Sequence, residues 1–258
     1  MSGDLREFEA FAHRLADAAG AIARRYFRTP VAVDAKRDRS PVTAADREIE
    51  ARLGELIRTQ HPSHGLIGEE YGRERDDAEF VWVIDPIDGT RQFITGRPTF
   101  GTVIGLCRAG QPVLGIVDQP IIAERWFGAR GQPSTFNGKP IRTRACPHAA
   151  DAMLYAISFE LYHGADAEAY RRLRAAVRDI QFSGDCYAHA LLAMGFVDVV
   201  LECGLKPWDW VGLVPIVEGA GGKLVDWRGR APDLAGDGRL VTLGDPALVP
   251  EVTRLLAG

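Results

Sequence analysis

The stretch FVWVIDPIDGT, residues 80–90, carries the clearest signal for the fold. Its first five residues are all apolar, which predicts a short strand buried on both faces. Pro86 ends that strand, because proline has no amide to donate to a neighbouring strand. Two more apolar runs, 99–107 and 112–118, predict a hairpin that turns at Gly110. The first half of the chain is therefore expected to contain an antiparallel sheet.

Helical periodicity surrounds these strands. Residues 4–27 carry apolar side chains at steps of three and four, which predicts one long amphipathic helix. A second helix is expected from its cap, Thr43, to about Gln60. In the second half, short apolar strands alternate with helices, one of which is predicted over 210–220. That alternation is typical of an α/β arrangement.

The length of 258 residues exceeds the 100–200 that are usual for one domain. We therefore expect two closely packed lobes, an α+β lobe over 1–145 and an α/β lobe over 146–258. Apolar residues make up 46% and charged residues 26% of the chain, as in ordinary globular proteins. This composition excludes a disordered, collagen-like or coiled-coil protein.

The charge and the cysteine content limit the expected partners and the expected cellular compartment. The net charge is −4 and no block of Lys and Arg occurs, so neither nucleic acid nor a membrane is an expected partner. The four cysteines are scattered without a C-x-x-C pair, which indicates a reduced, intracellular protein without structural zinc. The first residues carry charges where a signal peptide would be apolar, and no apolar run approaches 18 residues. The sequence thus predicts a cytoplasmic location.

The most specific chemical feature is the pair Asp85 and Asp88 at the end of the predicted strand. A turn at Pro86 can bring the two carboxylates to one point and can also turn the Ile87 carbonyl toward it. Oxygen ligands alone favour hard cations, so the pattern indicates Mg²⁺ or Mn²⁺ rather than zinc. Taken alone, the same residues could form an ordinary surface turn, since Asp, Pro and Gly are common there.

Two other acidic segments strengthen the metal hypothesis. Glu69 and Glu70 follow a short apolar run, and Asp209 stands between two tryptophans at a predicted helix start. Asp209 could serve either as a helix cap or as a ligand in a partly dry site. Four of these carboxylates together predict a two-metal cage of the kind that serves phosphoryl chemistry: Glu69, Asp85, Asp88 and Asp209.

These segments resemble the inositol monophosphatase family of Mg²⁺-dependent, lithium-sensitive phosphatases. The resemblance rests on Glu69, on WVIDPIDGTRQF at 82–93, on GRPTF at 96–100, and on the later WD and EGAGG segments at 208–209 and 218–222. It covers essentially the whole chain. It implies a layered αβαβα sandwich of the inositol monophosphatase and fructose-1,6-bisphosphatase type, usually a homodimer, with a small phosphate ester as substrate.

The resemblance also implies which residues bind metal. Two or three ions, Mg²⁺ or Mn²⁺, would be held by overlapping ligand sets: Glu69, Asp85 and the Ile87 carbonyl for the first ion, and Asp85, Asp88 and Asp209 for the second. Thr90, paired with Asp46, would orient and deprotonate the attacking water. Gly89 and Thr90 would bind the phosphate, and Lys36 and Glu70 would lie near the site.

The substrate contacts implied by the resemblance are Ser183, Gly184, Asp185 and Glu202. The segments 183–192 and 202–209 look most like the histidinol-phosphate phosphatase branch. Two carboxylates, Asp185 and Glu202, suit a cationic leaving group such as histidinol. Asp185 could instead be a simple helix cap. An inositol-1-monophosphatase, or a broader sugar or nucleotide phosphatase of this family, is the alternative.

Two rival functions are less consistent with the sequence. Haloacid-dehalogenase-type phosphatases carry Asp-x-Asp at a strand end and use the first aspartate as a covalent nucleophile. Here two residues separate Asp85 from Asp88, which argues against that geometry. A catalytically idle metal-binding protein is the other rival, but every expected carboxylate is present. His189 is expected to be a core or subunit-contact residue.

Overall fold

The computed structural model describes residues 3–30, 33–35 and 41–258. The helices in this part of the chain are α1 (Gly3–Tyr26), α2 (Ala44–Gln60), α3 (Thr90–Ile94), α4 (Ala165–Ala176), α5 (Asp185–Ala193), α6 (Pro207–Trp210), α7 (Leu213–Gly219) and α8 (Val249–Ala257). The strands are β1 (Val33–Ala35), β2 (Pro41–Thr43), β3 (Gly65–Gly68), β4 (Gly72–Glu74), β5 (Phe80–Asp88), β6 (Gly101–Arg108), β7 (Gln111–Gln119), β8 (Glu124–Ala129), β9 (Thr135–Phe136), β10 (Lys139–Pro140), β11 (Met153–Ala156), β12 (Asp179–Phe182), β13 (Val199–Glu202), β14 (Lys223–Asp226) and β15 (Leu240–Leu243).

Two sheets organise the molecule. The first has eight strands in the order β10-β9-β8-β7-β6-β5-β3-β4 and is antiparallel except where β3 runs parallel to β5. The second has five strands in the order β12-β11-β13-β15-β14, with β11 parallel to both of its neighbours. A small antiparallel pair, β1 and β2, stands apart from both.

The helices pack on these sheets in layers. The apolar faces of α1 and α2 cover one face of the eight-stranded sheet and form a core with β5, β6 and β7. Its other face packs against α5, α6 and α7, and of these α5 and α7 also contact the second sheet. Helices α4 and α8 cover the outer face of the second sheet. This αβαβα order confirms the fold class that the sequence predicted.

Several predicted elements are confirmed with small shifts at their ends. The hairpin of β6 and β7 turns at Gly110. The prediction that Pro86 ends its strand is wrong, because β5 continues to Asp88 and accommodates Pro86 where its pairing with β6 shifts register. The single helix predicted over 210–220 is wrong, because the chain forms two helices, α6 and α7, instead. Pro215 lies four residues after Val211 and has no amide to donate to its carbonyl, so the helical ladder is interrupted there.

The junction between α6 and α7 rests directly on the eight-stranded sheet. A Cβ atom placed on Gly115 would lie 1.8 Å from the carbonyl oxygen of Gly212. One placed on Gly105 would lie 2.7 Å from Cγ1 of Val211. Only a residue without a side chain fits these positions of β6 and β7. The contact fixes how far α6, which carries Asp209, stands from the sheet.

The division into lobes is less sharp than the two sheets suggest. Strands of the eight-stranded sheet end with Pro140, and strands of the second sheet begin with Met153. Helices α5, α6 and α7 follow Met153 in the chain, yet they pack on the first sheet. The boundary between 1–145 and 146–258 stays a prediction.

Helix length and polarity bear on membrane association. Spanning a bilayer takes about 20 consecutive, mainly apolar residues. Within residues 3–30, 33–35 and 41–258, no helix is both long and apolar enough to do so.

Candidate active site

Three aspartates converge at the end of the eight-stranded sheet where β5 finishes. Asp85 and Asp88 lie near the end of β5, and Asp209 lies on the short helix α6. Carboxylate oxygens from the three residues lie within 4.8 Å of one another. Because Asp209 is far from the other two in sequence, the fold rather than the local chain brings them together. The arrangement suits a cation with oxygen ligands.

An irregularity in β5 explains how Asp85 and Asp88 can face the same point. In a regular strand, residues three positions apart face opposite sides of the sheet. The pairing of β5 with β6 shifts register between these two aspartates, around Pro86. The hydroxyl of Thr102 donates to the Pro86 carbonyl at 2.8 Å and holds the irregular segment in place. The two carboxylates therefore converge through an irregularity inside a continuous strand, and the turn that was expected at Pro86 is not formed.

The first turn of α6 holds Asp209. Pro207 begins this helix, and one carboxylate oxygen of Asp209 accepts the Lys206 amide at 2.6 Å. The sequence left open whether Asp209 is part of a helix cap or of a metal cluster. The structure shows that it makes the capping bond and lies in the carboxylate cluster at the same time.

The carboxylate cluster is electrostatically costly without a cation. Burial raises the pKa of Asp85 and of Asp88 well above the usual range, and neighbouring carboxylates raise both further. Burial also raises the pKa of Asp209 to about 7. One buried oxygen of Asp85, Oδ1, has no hydrogen-bond partner among the described residues. An oxygen-only site with surplus negative charge fits Mg²⁺ or Mn²⁺.

Glu69 joins this cluster through the pairing of β3 with β5. The two strands are parallel, and Gly68 stands opposite Ile84. Their carboxyl ends therefore meet at one edge, with Glu69 beside Asp85. After burial, the charge of Glu69 is the strongest influence that raises the pKa of Asp85. It also lines a pocket of about 380 Å³ at this edge.

The same pocket is lined by residues from three other segments. Gly89, Thr90, Arg91 and Gln92 come from the turn after β5 and from α3. The remaining wall comes from the ends of β11 and β12 and from the segments that follow them: Ile157, Ser158, Glu160, Leu161, Ser183 and Asp185. The pocket thus opens between the two sheets, next to the carboxylates.

Thr90 begins α3 and points back toward the end of β5. Its hydroxyl donates to the Ile87 carbonyl at 3.1 Å. Asp46, in the first turn of α2, accepts both the amide and the hydroxyl of Thr43, at 2.8 and 2.6 Å. Its other oxygen has no hydrogen-bond partner among the described residues, and burial raises the pKa of Asp46 to about 6. The pairing of Thr90 with Asp46 stays a prediction.

The start of α5 closes the site from the second half of the chain. The backbone amide of Cys186 donates to the carboxylate of Asp88. Ser183 and Asp185 both adopt positive φ values, 63° and 43°, which residues other than glycine rarely adopt. Such local strain is often found at functional sites.

Asp185 is not the cap of α5, since Gly184 occupies the cap position. Its carboxylate accepts a hydrogen bond from the Gln92 side chain and faces the pocket. Burial raises the pKa of Asp185 to about 6, while Arg91 and Arg97 act in the opposite direction. These contacts favour a pocket role over the simple helix cap.

Glu202, at the end of β13, lies behind the pocket rather than in its wall. It is 4% exposed, and burial raises its pKa well above the usual range, with further contributions from Asp185, Asp88 and Asp209. His189 is also buried, and its Nδ1 lies 2.9 Å from the Thr242 hydroxyl. Burial lowers the pKa of His189 to about 3, so it is a neutral core histidine.

The structure adds two residues that the sequence analysis missed. Gln92 holds Asp185, and Glu50 on α2 accepts amides from the turn after Glu69. Glu50 follows Asp46 by four residues, so both lie on one helix face, and that spacing was the available signal. Lys36, which the resemblance put near the site, lies outside the described residues.

Comparisons with known proteins agree with this geometry. A family model described as the inositol monophosphatase family matches residues 4–255. The chain is 48% identical over 212 residues to "Bifunctional phosphatase IMPL2, chloroplastic" of Arabidopsis thaliana, covering 81% of the chain but only 61% of that protein. It is 36% identical over 211 residues to a histidinol-phosphatase of Chlorobaculum parvum, covering 81% of the chain and 80% of that protein.

Comparison with solved structures gives the same result. An inositol monophosphatase from Zymomonas mobilis matches with a TM-score of 0.91 and 42% identity, over 100% of both chains. This likeness confirms the layered fold independently of the metal motifs. The match over nearly the whole chain and the arrangement of the carboxylates lead to one conclusion: the chain belongs to the inositol monophosphatase family.

Proposed function

We propose that this family member is a Mg²⁺-dependent histidinol-phosphatase, which hydrolyses L-histidinol phosphate to L-histidinol and phosphate in histidine biosynthesis. Hydrolysis of phosphoric monoesters is the activity of the family. The observation that carries the metal-dependent mechanism is the convergence of Asp85, Asp88 and Asp209 beside Glu69. Three carboxylates within 4.8 Å of one another, with a fourth beside them, would be poorly stable together unless a cation neutralised them.

The ligands for the proposed ions come from this cluster. Glu69, Asp85 and the Ile87 carbonyl would hold one ion, and Asp85, Asp88 and Asp209 a second. When bound, such ions polarise a phosphate ester and lower the pKa of a water molecule. The side chains then serve to fix the ligand oxygens, and the Cys186 amide, which donates to Asp88, supports this role.

Water activation is the proposed task of Thr90 and Asp46. A hydroxyl has little basicity alone, so Thr90 needs a partner that can take its proton. Asp46 suits this task because burial raises its pKa and because its second oxygen makes no hydrogen bond among the described residues. Gly89 and Thr90 line the pocket, and their backbone amides would orient the phosphate.

The choice of histidinol phosphate rests on the carboxylates around the pocket. Histidinol carries an ammonium group and an imidazole, whereas inositol offers only hydroxyls. Asp185 lines the pocket, Glu202 lies behind it, and Glu160 lies in its outer wall. The similarity to a histidinol-phosphatase of Chlorobaculum parvum supports the same substrate.

Inositol 1-phosphate is the second candidate substrate. Its support is the solved inositol monophosphatase of Zymomonas mobilis, which is 42% identical over the full length. Arg91 also lines the pocket and, with Arg97, offsets the charge of Asp185. A partly neutralised Asp185 would discriminate less strongly between a cationic and an uncharged alcohol.

A substrate panel tests the proposal. The protein would be assayed for phosphate release with Mg²⁺ and histidinol phosphate, inositol 1-phosphate, fructose 1,6-bisphosphate or 3′-phosphoadenosine 5′-phosphate. We expect the highest kcat/KM with histidinol phosphate, complete loss after EDTA treatment, and recovery with Mg²⁺. Activity that survives exhaustive EDTA treatment would contradict the metal mechanism, and a higher kcat/KM with another substrate would contradict the substrate.

Asp185→Ser should reduce the preference for histidinol phosphate over inositol 1-phosphate by about tenfold. A charge-assisted contact contributes about 1.5–3 kcal/mol, and 1.4 kcal/mol corresponds to a factor of ten. Hydrolysis of inositol 1-phosphate should change little. The measurement is kcat/KM for both substrates.

Two controls accompany this variant. Asp179→Ser removes an exposed carboxylate on β12 and should leave both substrates unaffected. Asp209→Asn removes a proposed metal ligand and should impair both substrates alike. If Asp185→Ser also impaired both equally, Asp185 would not determine substrate choice, although the phosphatase mechanism would stand.

A cytoplasmic homodimer is the proposed state of the protein, as the family resemblance implies. Phe159, Leu161 and Phe182 are large apolar residues that are 61%, 47% and 40% exposed. Phe182 belongs to β12, which is an edge strand of the second sheet. A second copy covering these residues would remove them from water. Light scattering after gel filtration should give the mass of a dimer, and the mass of a monomer would contradict it.

A further inference from the structure

We propose that Glu50 is a positioning residue, which holds Glu69 at the metal-binding edge by fixing the backbone turn that follows it. Glu50 is not among the proposed metal ligands or substrate contacts. The inference rests on the proposed metal centre, since it concerns how one of its ligands is kept in place.

The turn between β3 and β4 is bound to one buried carboxylate. Oε2 of Glu50 accepts the backbone amide of Glu70 at 2.8 Å, and Oε1 accepts the amide of Tyr71 at 2.8 Å. Glu50 is 1% exposed, so water does not compete for these bonds. These two bonds use both oxygens of the side chain. The carboxylate thus orders the two residues that directly follow Glu69.

The fit between Glu50 and the end of β3 depends on Gly68. A Cβ atom on Gly68 would lie 1.9 Å from Oε1 of Glu50. Any side chain at this position would therefore push the carboxylate away from the turn. Gly68 also pairs with Ile84 of β5. Because Glu69 and Asp85 are the next residues of the two parallel strands, this pairing places Glu69 next to Asp85.

Helix α2 connects this turn with the other side of the site. Asp46 and Glu50 lie four residues apart, one turn of the helix, and both are buried. The helix therefore presents one carboxylate that caps its own start and a second that holds the Glu69 turn. Groups that orient a metal ligand without touching the metal commonly change metal affinity by about 10- to 100-fold when removed.

The test is metal binding by the full chain, measured without substrate. Isothermal titration with Mn²⁺ and with Mg²⁺ would compare the wild type with Glu50→Gln and Gly68→Ala. Glu50→Gln keeps the shape but replaces one acceptor oxygen with an NH₂ group that faces a backbone amide. Gly68→Ala keeps the charge of Glu50 and displaces its carboxylate. We expect each substitution to weaken metal binding, raising the dissociation constant by about 10- to 100-fold.

Glu55→Gln is the matched control, because it makes the same change on an exposed position of α2. It should bind metal like the wild type. Melting temperatures in EDTA show whether a variant is folded without metal. We expect variants that remain folded and yet bind metal more weakly. If a variant does not fold, Glu50→Asp, which keeps the charge but withdraws the oxygens from the turn, replaces it.

Two results would have different meanings. Folded Glu50→Gln and Gly68→Ala proteins that bind metal as tightly as the wild type would overturn the positioning role of Glu50. Weaker binding by Glu50→Gln but not by Gly68→Ala would also overturn it. Metal binding would then depend on the charge of Glu50 and not on where its carboxylate lies. A wild-type protein that binds neither ion would instead overturn the proposed metal centre.

Discussion

Asp88→Asn is expected to lower kcat/KM by about 10²-fold or more, which corresponds to about 3 kcal/mol of transition-state stabilisation. The substitution removes one negative charge from the cluster of Asp85, Asp88 and Asp209 at nearly constant volume. An asparagine oxygen can still accept the Cys186 amide, so the start of α5 should keep its place. The loss should therefore reflect the ligand charge rather than the fold.

Kinetics and metal titration together check this expectation. The variant should need more Mg²⁺ for half-maximal activity and should have the circular dichroism spectrum of the wild type. Asp77→Asn, on an exposed loop, supplies the same chemical change away from the site and should leave kcat/KM unaltered. An Asp88→Asn enzyme with more than half of the wild-type activity would mean that Asp88 is not a metal ligand.

Thr90→Ala is expected to lower kcat by an amount on the order of 10²-fold, with a much smaller rise in KM. The proposed role of the hydroxyl is to orient the attacking water, which affects the reaction step rather than the binding of substrate. The hydroxyl donates to the Ile87 carbonyl in the structure, so its removal also frees that oxygen.

Thr90→Ser provides the control for this prediction. Serine keeps the hydroxyl and loses only a methyl group, so it should retain most of the activity. If the alanine variant changed mainly KM, Thr90 would be a binding residue instead. Equal losses for serine and alanine would show that the methyl group, and hence local packing, is what matters.

The fold and the carboxylate cluster could be predicted because their signals are local. A five-residue apolar run followed by Pro86 specifies a buried strand and its irregular end, and the structure has both. The hairpin of β6 and β7 likewise follows from two apolar runs around one glycine. Asp209 was assigned to the cluster because an acid between two tryptophans suits a partly dry site, and the resemblance implied the same role. Nothing in the neighbouring sequence shows that α6 would meet β5.

Other features depend on tertiary contacts that no short segment reveals. The break between α6 and α7 was missed, although Pro215 lies inside the predicted helix. The short strand β4 is polar and has no apolar alternation, so only its pairing with β3 defines it. The role of Asp185 was left open, because a carboxylate ahead of a helix can be a cap or a ligand until its partner, here Gln92, is seen.

The close contact between the sheet and the α6–α7 junction restricts which sequences can be selected at positions remote from the pocket. Even alanine at Gly115 would put its methyl carbon 1.8 Å from the Gly212 carbonyl, where ordinary contact begins at 3.4 Å. The helix would have to lift from the sheet, and Asp209 would move with it. Saturation mutagenesis scored by activity should therefore tolerate little but glycine at this strand position, which directly contacts no proposed ligand. Engineering that ranks positions by distance from the substrate would wrongly treat it as free to vary.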